Sequence, residues 1–522
     1  MQFSDDQVEE NCTFFILEAI NMLDAKLLKE FSIEKFKEEY DCFRNKKIDI
    51  FENNKIKIPM GVDGIDHKNF GKNDNLEKIA KHICYRLKNG NYFFQPFREI
   101  EIPKPPYQNL KEAKQNKKIR ILSISSIKDA ICQKLIYNVV VNYCEKKFDE
   151  LNTDVSFGYR KGKSAPMAVK KIYNLISTEE YFYVLDADIS KFFDEISHEN
   201  LKHKLEFFFG KENQLLNKYL RRFISVDKVE SKFYVNKKKY KNWIMKNKGR
   251  EKVRIFYNAK PMRKLRKKGI PQGGVLSGLI ANIYLHDFDE YVVKKLYLKY
   301  NHKIKYFRYA DDFIILSKEK NILEEIKNEV GEYLKIQGLQ LNYEKTDMLN
   351  LDNMGKQSLE FLGFKINSKI ISIKKDNVIK FQNKINSIVQ KYKIGDEKKN
   401  LDKMIENVNF KIIGNENFEN NHKVCEVCGK EIIPRSWMSY FGSITDINIL
   451  KNLDTWIRKV IFKKYYHDTK KRINKKDLIE MKLESLELQY YRYKKIYRKT
   501  QKFKNICKCE LNLEFYEKVG YY

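Results

Sequence analysis

Two short strand-like segments flank a pair of adjacent aspartates, and this arrangement constrains the fold more than any other feature. Tyr309-Ala310-Asp311-Asp312 lies between residues 306–308 and residues 313–316, which are aromatic or β-branched apart from Arg308 and Leu316. Such runs are typical of strands, so the sequence predicts a β-hairpin with both carboxylates at its tip, although the usual Asn-Gly turn is missing. Buried paired carboxylates need a cation, and oxygen ligands suit Mg²⁺. On these residues alone, a plain acidic turn is an equal alternative.

A second acidic segment lies upstream of the hairpin. Residues 183–185 have the composition of a strand, and Asp186-Ala187-Asp188 follows them directly. Two metal ions need carboxylates from separate elements, so Asp188 is the candidate third ligand. Asp186 and Asp194 compete with it. In a strand, residues 186 and 188 share a face, so periodicity does not distinguish these two.

A glycine-rich segment lies between the two acidic segments. It reads Gly269-Ile270-Pro271-Gln272-Gly273-Gly274 and leads into an apolar stretch at residues 279–285 that predicts a helix. Glycine allows the backbone to approach a flat ligand closely. The alternative is an ordinary loop before a core helix.

Together the three segments resemble the palm of a reverse transcriptase of the group II intron-like bacterial lineage. Further segments resemble other blocks of this family and follow in its order. They are Ile102-Pro103-Lys104 with residues 118–122, then residues 156–165, 338–346, 359–364 and 437–441. The resemblance implies an α+β fold of the right-hand polymerase type, with fingers, a palm built on an antiparallel sheet and a helical thumb.

The resemblance also implies the metal ligands. Asp188, Asp311 and Asp312 match the residues that hold two Mg²⁺ ions, assisted by the backbone carbonyl of Ile189. In such a site one ion lowers the pKa of a primer 3′-hydroxyl, and the other stabilises the leaving pyrophosphate.

Nucleotide contacts follow from the same matches. Arg120 matches the fingers arginine that binds the incoming triphosphate, because a guanidinium suits phosphate oxygens. Lys118 and Lys104 are weaker candidates on the same surface. Gln272 and Gly273 match residues that line the nucleotide and template pocket, and Tyr309 is a further substrate-binding candidate.

Three other residues have two interpretations each. Phe193 matches the steric gate that excludes a ribose 2′-hydroxyl, with a core aromatic as the alternative and Phe192 as its packed neighbour. Lys345 matches the proposed proton donor to pyrophosphate, or it forms a surface ion pair. Arg308 either braces the palm or contacts a primer.

The coarse pattern predicts four segments. Residues 1–95 are a helical N-terminal extension, residues 96–375 fingers and palm, residues 376–475 a helical thumb with a cysteine-containing insertion, and residues 476–522 a basic, tyrosine-rich tail. Apolar residues at helical spacing predict core-facing thumb helices. They are Val378, Phe381, Ile385, Ile388 and Val389, then Ile449, Leu450, Leu453, Ile457, Val460 and Ile461.

Charge indicates a polyanionic partner. Lys and Arg number 102 against 70 Asp and Glu, a net charge of +32. Residues 227–268 hold 17 basic and three acidic residues interleaved with aromatics, a composition suited to phosphate contact and base stacking, with a solvated insertion as the alternative. We expect an RNA template, a DNA product and deoxynucleoside triphosphates as partners. The oligomeric state stays open.

The cellular location is expected to be the cytoplasm. No apolar run reaches the roughly 18 residues of a membrane span. Residues 1–6 contain no basic region leading into an apolar stretch, so no secretory signal is expected. The nine cysteines are mostly scattered, which favours a reducing compartment.

Cys425 and Cys428 form a zinc-knuckle-like half site. Zinc needs four ligands, and His422, Cys507 and Cys509 are the weak candidates that would complete the set. Two ordinary reduced thiols are the alternative to structural Zn²⁺.

Several positions depart from the family pattern. Residues 120–125 replace the usual Arg-Pro-Leu-Gly-Ile-Pro, Asp129-Ala130 replaces Asp-Arg, and Ser277-Gly278 replaces Ser-Pro. None is a proposed metal ligand. The departures favour similarity to stand-alone bacterial reverse transcriptases of antiphage defence, which work with a cognate noncoding RNA. An intron maturase and a catalytically idle RNA-binding scaffold are the alternatives.

Overall fold

The structure is a computed structural model, and it divides the chain into two compact units. It describes residues 22–54, 60–65, 70, 75–104, 107, 109–151, 154–229, 263–352, 357–395, 398–414 and 437–502. The first unit comprises Met1–Asp154, Asp188–Leu296 and Asn328–Tyr343, and the second comprises Val155–Ala187, Tyr297–Lys327 and Glu344–Tyr522. The four predicted segments stay a prediction.

The strands of the described residues form three sheets. They are β1 Phe97–Pro103, β2 Ile119–Ile124, β3 Tyr183–Asp188, β4 Lys228–Val229, β5 Arg263–Lys264, β6 Ile304–Tyr309, β7 Asp312–Ser317, β8 Asp347–Asn350, β9 Leu359–Phe361, β10 Phe364–Ile366 and β11 Ile371–Ile373.

The first unit contains the sheet β2-β1-β4-β5, in which β1 pairs antiparallel with β2 and parallel with β4. Its helical residues include 22–30. Its other helices are Ile33–Asn54, Asn75–Lys88, Leu110–Gln115, Ile127–Asp149, Phe192–Glu195, His198–Phe209, Gln214–Ile224 and Ser277–Glu290, followed by a π-helical stretch Tyr291–Leu296.

The second unit contains the sheets β6-β7-β3-β8 and β11-β10-β9. Its helices are Ala165–Thr178, Tyr297–Lys299, Lys375–Gln390, Lys398–Ile413, Trp437–Tyr440, Asn448–Thr469, Lys475–Glu480 and Leu486–Lys502. The residues of the helix Lys320–Ile336 are divided between the two units, up to Lys327 in the second and from Asn328 in the first.

A hydrophobic core of described residues lies in the second unit. It extends from Val184, Ile314 and Leu316 of the larger sheet to the helices after residue 375. Phe313 to Ser317 are all buried, which explains why β7 is a continuous apolar run without alternation. The predicted α+β fold is confirmed, and so are both thumb helices with their core-facing apolar stripes.

Most of the described residues in the predicted N-terminal extension, 22–30, 33–54 and 75–88, are helical. The helix Asn75–Lys88 lies in this segment, and its apolar face is buried. Asp129 connects this region to the helix Ile127–Asp149. Its carboxylate accepts hydrogen bonds from the Tyr92 hydroxyl, the Gln95 amide and the Ser126 hydroxyl, although burial raises its pKa. Asp129 is therefore a structural residue.

Other predictions lie wholly or partly outside the described residues. Residues 230–262, which form most of the basic aromatic segment, are among these, as are all the zinc candidates.

The Tyr490 side chain of the predicted tail is buried, and its hydroxyl donates to the Ile444 carbonyl. None of the described helices combines the length and apolarity that a membrane span requires.

Candidate active site

The predicted hairpin is present, with the aspartate pair at its tip. The antiparallel register of β6 and β7 ends at Tyr309 opposite Asp312, so Ala310 and Asp311 alone form the loop. Asp311 is half-buried and Asp312 exposed. Ala310 has φ +58°, a left-handed conformation that is costly for any residue with a Cβ. The loop is therefore strained at the residue next to the carboxylates.

Arg308 braces this loop from inside the protein. Its side chain is only 1% exposed, so it does not face a primer. The guanidinium donates to the Ala310 carbonyl oxygen at 2.9 Å and to the Ser156 hydroxyl at 3.1 Å. Of the two interpretations of Arg308 in the sequence, the structure supports the brace.

Residues 155–158 lie against the same hairpin. The Arg308 amide donates to the Val155 carbonyl at 2.7 Å, and the Phe157 amide donates to the Arg308 carbonyl at 2.9 Å. A Cβ added to Gly158 would lie 2.5 Å from the Ala310 nitrogen. Glycine at position 158 is thus what allows the two backbones to come this close.

Asp188 is the last residue of β3, the strand that neighbours β7 in the sheet order. Its half-buried carboxylate accepts a hydrogen bond from the Asn342 side-chain amide at 3.0 Å. The Asn342 backbone amide donates to the Asp188 carbonyl at 2.8 Å, and Ile189 forms an isolated antiparallel β-bridge with Leu341. Asn342 was not among the predicted site residues, although it lies in the block at residues 338–346.

The two competing aspartates occupy different positions. Asp186 is half-buried in β3, directly opposite Asp347 of β8. Asp194 is exposed in the single helical turn Phe192–Glu195. Asp186 is therefore still a competitor by position, while Asp194 lies beyond the strand.

The glycine-rich loop connects the Phe193 segment to β2. The Ile270 amide donates to the Phe193 carbonyl, and the Ser123 amide donates to the Gln272 carbonyl, at 2.8 Å and 2.7 Å. Gly269 has φ +75°, and a Cβ there would lie 2.7 Å from the Phe193 carbonyl oxygen. Glycine is therefore required at position 269, because the neighbouring backbone leaves no room for a Cβ.

The residues that are predicted to contact the nucleotide differ in their exposure to solvent. Arg120 and Lys118 are exposed, with Arg120 opposite Ile102 in the β1–β2 pair. Gln272 is half-buried and Gly273 exposed. These positions leave the polar groups accessible to a ligand.

The remaining candidates occupy varied environments. Phe193 is 8% exposed, against 1% for Phe192, which makes Phe192 the more deeply packed of the two rings. Lys345 is exposed in the turn before β8, and Tyr309 is half-buried at the end of β6.

The donor set suits a hard divalent cation. In the described part of the chain, no three His, Cys, Asp or Glu side chains are grouped so as to hold a metal ion by themselves. Mg²⁺ is usually bound through one or two carboxylates, with water and substrate phosphates completing the shell. The Asp311–Asp312 pair at an accessible tip fits that requirement.

Comparison with known proteins identifies the family. The pattern of the family "Reverse transcriptase (RNA-dependent DNA polymerase)" matches residues 102–366. The Group II intron-encoded protein LtrA of Lactococcus lactis subsp. cremoris is 27% identical, over 56% of this chain and 50% of the relative. Protein YkfC of Escherichia coli (strain K12) is 26% identical, over 56% of this chain and 73% of that protein. The chain thus spans about half the length of the intron-encoded relative.

A solved structure is also similar. Telomerase from Candida albicans, in complex with the TWJ fragment of telomeric RNA, shares 14% identity over 74% of this chain and 60% of its own, with a TM-score of 0.37. The family match alone covers slightly more than half of the 522 residues. The chain belongs to the reverse transcriptase family.

Proposed function

We propose that this protein is an RNA-directed DNA polymerase that adds deoxynucleotides to a primer by two-metal-ion nucleotidyl transfer. The observation that carries the proposal is the aspartate pair at the tip of a two-residue hairpin loop, in a chain of the reverse transcriptase family. Family membership supports the reaction class, and the accessible carboxylates support the metal chemistry.

Asp188, Asp311 and Asp312 are the proposed metal ligands, with the Ile189 carbonyl as a fourth oxygen. Bound Mg²⁺ would supply the Lewis acidity that activates a primer hydroxyl and neutralises charge on pyrophosphate. The Asn342 amide, which donates to the Asp188 carboxylate, orients that side chain. A carboxylate that a hydrogen bond already holds in place loses little conformational freedom when it binds a cation.

The nucleotide is proposed to lie along the fingers sheet and the glycine-rich loop. Arg120 and Lys118 bind its triphosphate, because both are exposed cations near one end of β2. Gln272 and Gly273 line the pocket, and Lys345 donates a proton to departing pyrophosphate.

The test is alanine substitution of the aspartates. Asp188→Ala and Asp311→Ala should each reduce primer extension below detection while template RNA binding stays within about twofold, because removing one carboxylate leaves the basic surface intact. Primer extension and filter binding measure the two quantities. Asp402→Ala, in the helix Lys398–Ile413, is the matched control and should extend primers normally. Near wild-type extension by either site variant would refute the assignment.

We further propose that the template is a cognate noncoding RNA copied in the cytoplasm during antiphage defence. The departures at residues 120–125, 130 and 278 from the intron family pattern support this role. A second candidate is an intron-encoded maturase and mobility enzyme, which the similarity to LtrA favours. The RNA that co-purifies with the protein distinguishes the two, since a maturase would retain flanking intron RNA.

A further inference from the structure

The strained loop at the tip of the β6–β7 hairpin is held by groups that are not themselves metal ligands. Ala310 has φ +58°, in a two-residue loop where glycine is usual. A residue persists in such a conformation only when its surroundings determine it. The identity of those surroundings therefore decides where the Asp311 and Asp312 carboxylates lie.

Arg308 is the central group in these surroundings. A buried arginine is costly unless its donors are satisfied, and this one donates to the Ala310 carbonyl and to the Ser156 hydroxyl. The first bond fixes the carbonyl of the strained residue, and the second fixes the guanidinium against a separate chain segment. Lysine has a single ammonium on a flexible stem, so it does not reproduce this planar fork.

Backbone pairing completes the arrangement. Residues 155 and 157 bond to both backbone groups of Arg308, and Gly158 lies where a Cβ would meet the Ala310 nitrogen. The loop is therefore enclosed from two directions by Arg308 and residues 155–158, all within the second unit.

We propose that Arg308, anchored by Ser156, is a positioning residue for the polymerase reaction: it holds the Ala310 loop so that Asp311 and Asp312 present their carboxylates to the metal. This inference rests on the proposed function of the aspartate pair. It assigns Arg308 no contact with substrate or metal.

The experiment combines a binding readout with a rate. Mn²⁺ is titrated into the full-length protein and free Mn²⁺ is followed by electron paramagnetic resonance. Single-turnover primer extension is then measured across a series of Mg²⁺ concentrations. The variants are Arg308→Lys, Ser156→Ala and Asp311→Ala, and Arg458→Lys is the matched control on the helix Asn448–Thr469.

For Arg308→Lys we expect Mn²⁺ affinity and the single-turnover rate each to fall about tenfold or more, the usual effect of losing a group that orients a metal ligand. The Mg²⁺ concentration for half-maximal rate should rise, and template RNA binding should not change. Ser156→Ala should shift the same quantities in the same direction by a smaller factor. Arg458→Lys should change none of them.

Two results separate the inference from the function on which it rests. If Arg308→Lys and Ser156→Ala keep wild-type Mn²⁺ affinity and rate while Asp311→Ala loses both, the positioning role is wrong and the metal site stands. If Asp311→Ala also keeps both, the proposed metal site itself is wrong. If Arg308→Lys does not fold, the Mn²⁺ affinity and rate of Ser156→Ala test the positioning role by themselves, because that substitution removes only one hydroxyl.

Discussion

At the scale of single residues, Phe193 has both a sequence match to the steric gate and a defined position in the packing. Phe193 is 8% exposed, and its backbone carbonyl accepts a hydrogen bond from the Ile270 amide of the glycine-rich loop. This bond holds the backbone of the residue that matches the steric gate, and a ring at that position is predicted to exclude a ribose 2′-hydroxyl by steric contact.

Phe193→Ala should therefore raise incorporation of ribonucleotides relative to deoxynucleotides by about 10- to 100-fold, the range for a steric difference of one small group. Competition assays with paired ribo- and deoxynucleotides measure the ratio. Phe193→Tyr keeps the ring and should retain wild-type selectivity. Unchanged selectivity in Phe193→Ala would show that the ring only fills the core.

The residues that orient the aspartates were harder to predict than the aspartates. Asp311 and Asp312 are adjacent in sequence and flanked by strands, so the sequence is sufficient to propose them. The Asn342 bond to Asp188 joins residues far apart in the chain, and no local pattern encodes it. Arg308 was ambiguous because a strand residue's spacing does not reveal whether its charged end is buried.

At the scale of elements, the hairpin and its backing segment form one packed structure. Strands and helices were predictable here because apolar runs and helical spacing are local properties. The close approach of residues 155–158 to the hairpin was not predictable, since it depends on pairing between distant segments. Gly158 is the position where this contact can be tested.

Gly158→Ala should destabilise the protein by about 1–3 kcal/mol, the usual cost of overpacking, because its Cβ would meet the Ala310 nitrogen. Primer extension should fall by more than this loss of stability explains. Thermal melting and single-turnover rates provide the two measurements. Gly395→Ala is the control, since a Cβ there meets nothing within 4 Å. Equal behaviour of the two variants would contradict the packing account.

The helix Lys398–Ile413 contains Lys411, a lysine whose environment predicts that stability depends on pH. Burial, together with repulsion from Lys384 and Lys391, lowers the pKa of Lys411 to about 8. The unfolded chain keeps the ordinary value of 10.5 and thus binds the proton more tightly. Between these two values the unfolded state holds more protons, so folding becomes more favourable as pH rises.

The wild-type protein should therefore gain stability from pH 7.5 to pH 9.5 relative to Lys411→Met, which lacks the titrating amine. Urea unfolding midpoints followed by circular dichroism at both pH values measure this difference. Lys399→Met, at an exposed position of the same helix, should retain the wild-type dependence. Identical pH dependence in the wild-type protein and Lys411→Met would contradict the assignment.

At the scale of the whole molecule, charge and family membership point to the same partner. A net charge of +32 attracts a polyanion of any sequence, so it supports binding to nucleic acid but does not select a template. The family match supports copying of RNA. Composition was sufficient to predict binding to nucleic acid. The choice of template depends on contacts between the protein and the RNA, which no local sequence pattern encodes.

The most direct test is to sequence both the RNA that co-purifies with the full-length protein and the DNA it makes from that RNA with Mg²⁺ and four deoxynucleotides. Asp311→Ala, purified in parallel, is the control. We expect one dominant structured RNA in both preparations, and DNA complementary to part of it from the wild-type protein alone. Equal DNA synthesis by Asp311→Ala, or no DNA from the wild-type protein on any primed RNA, would contradict the account.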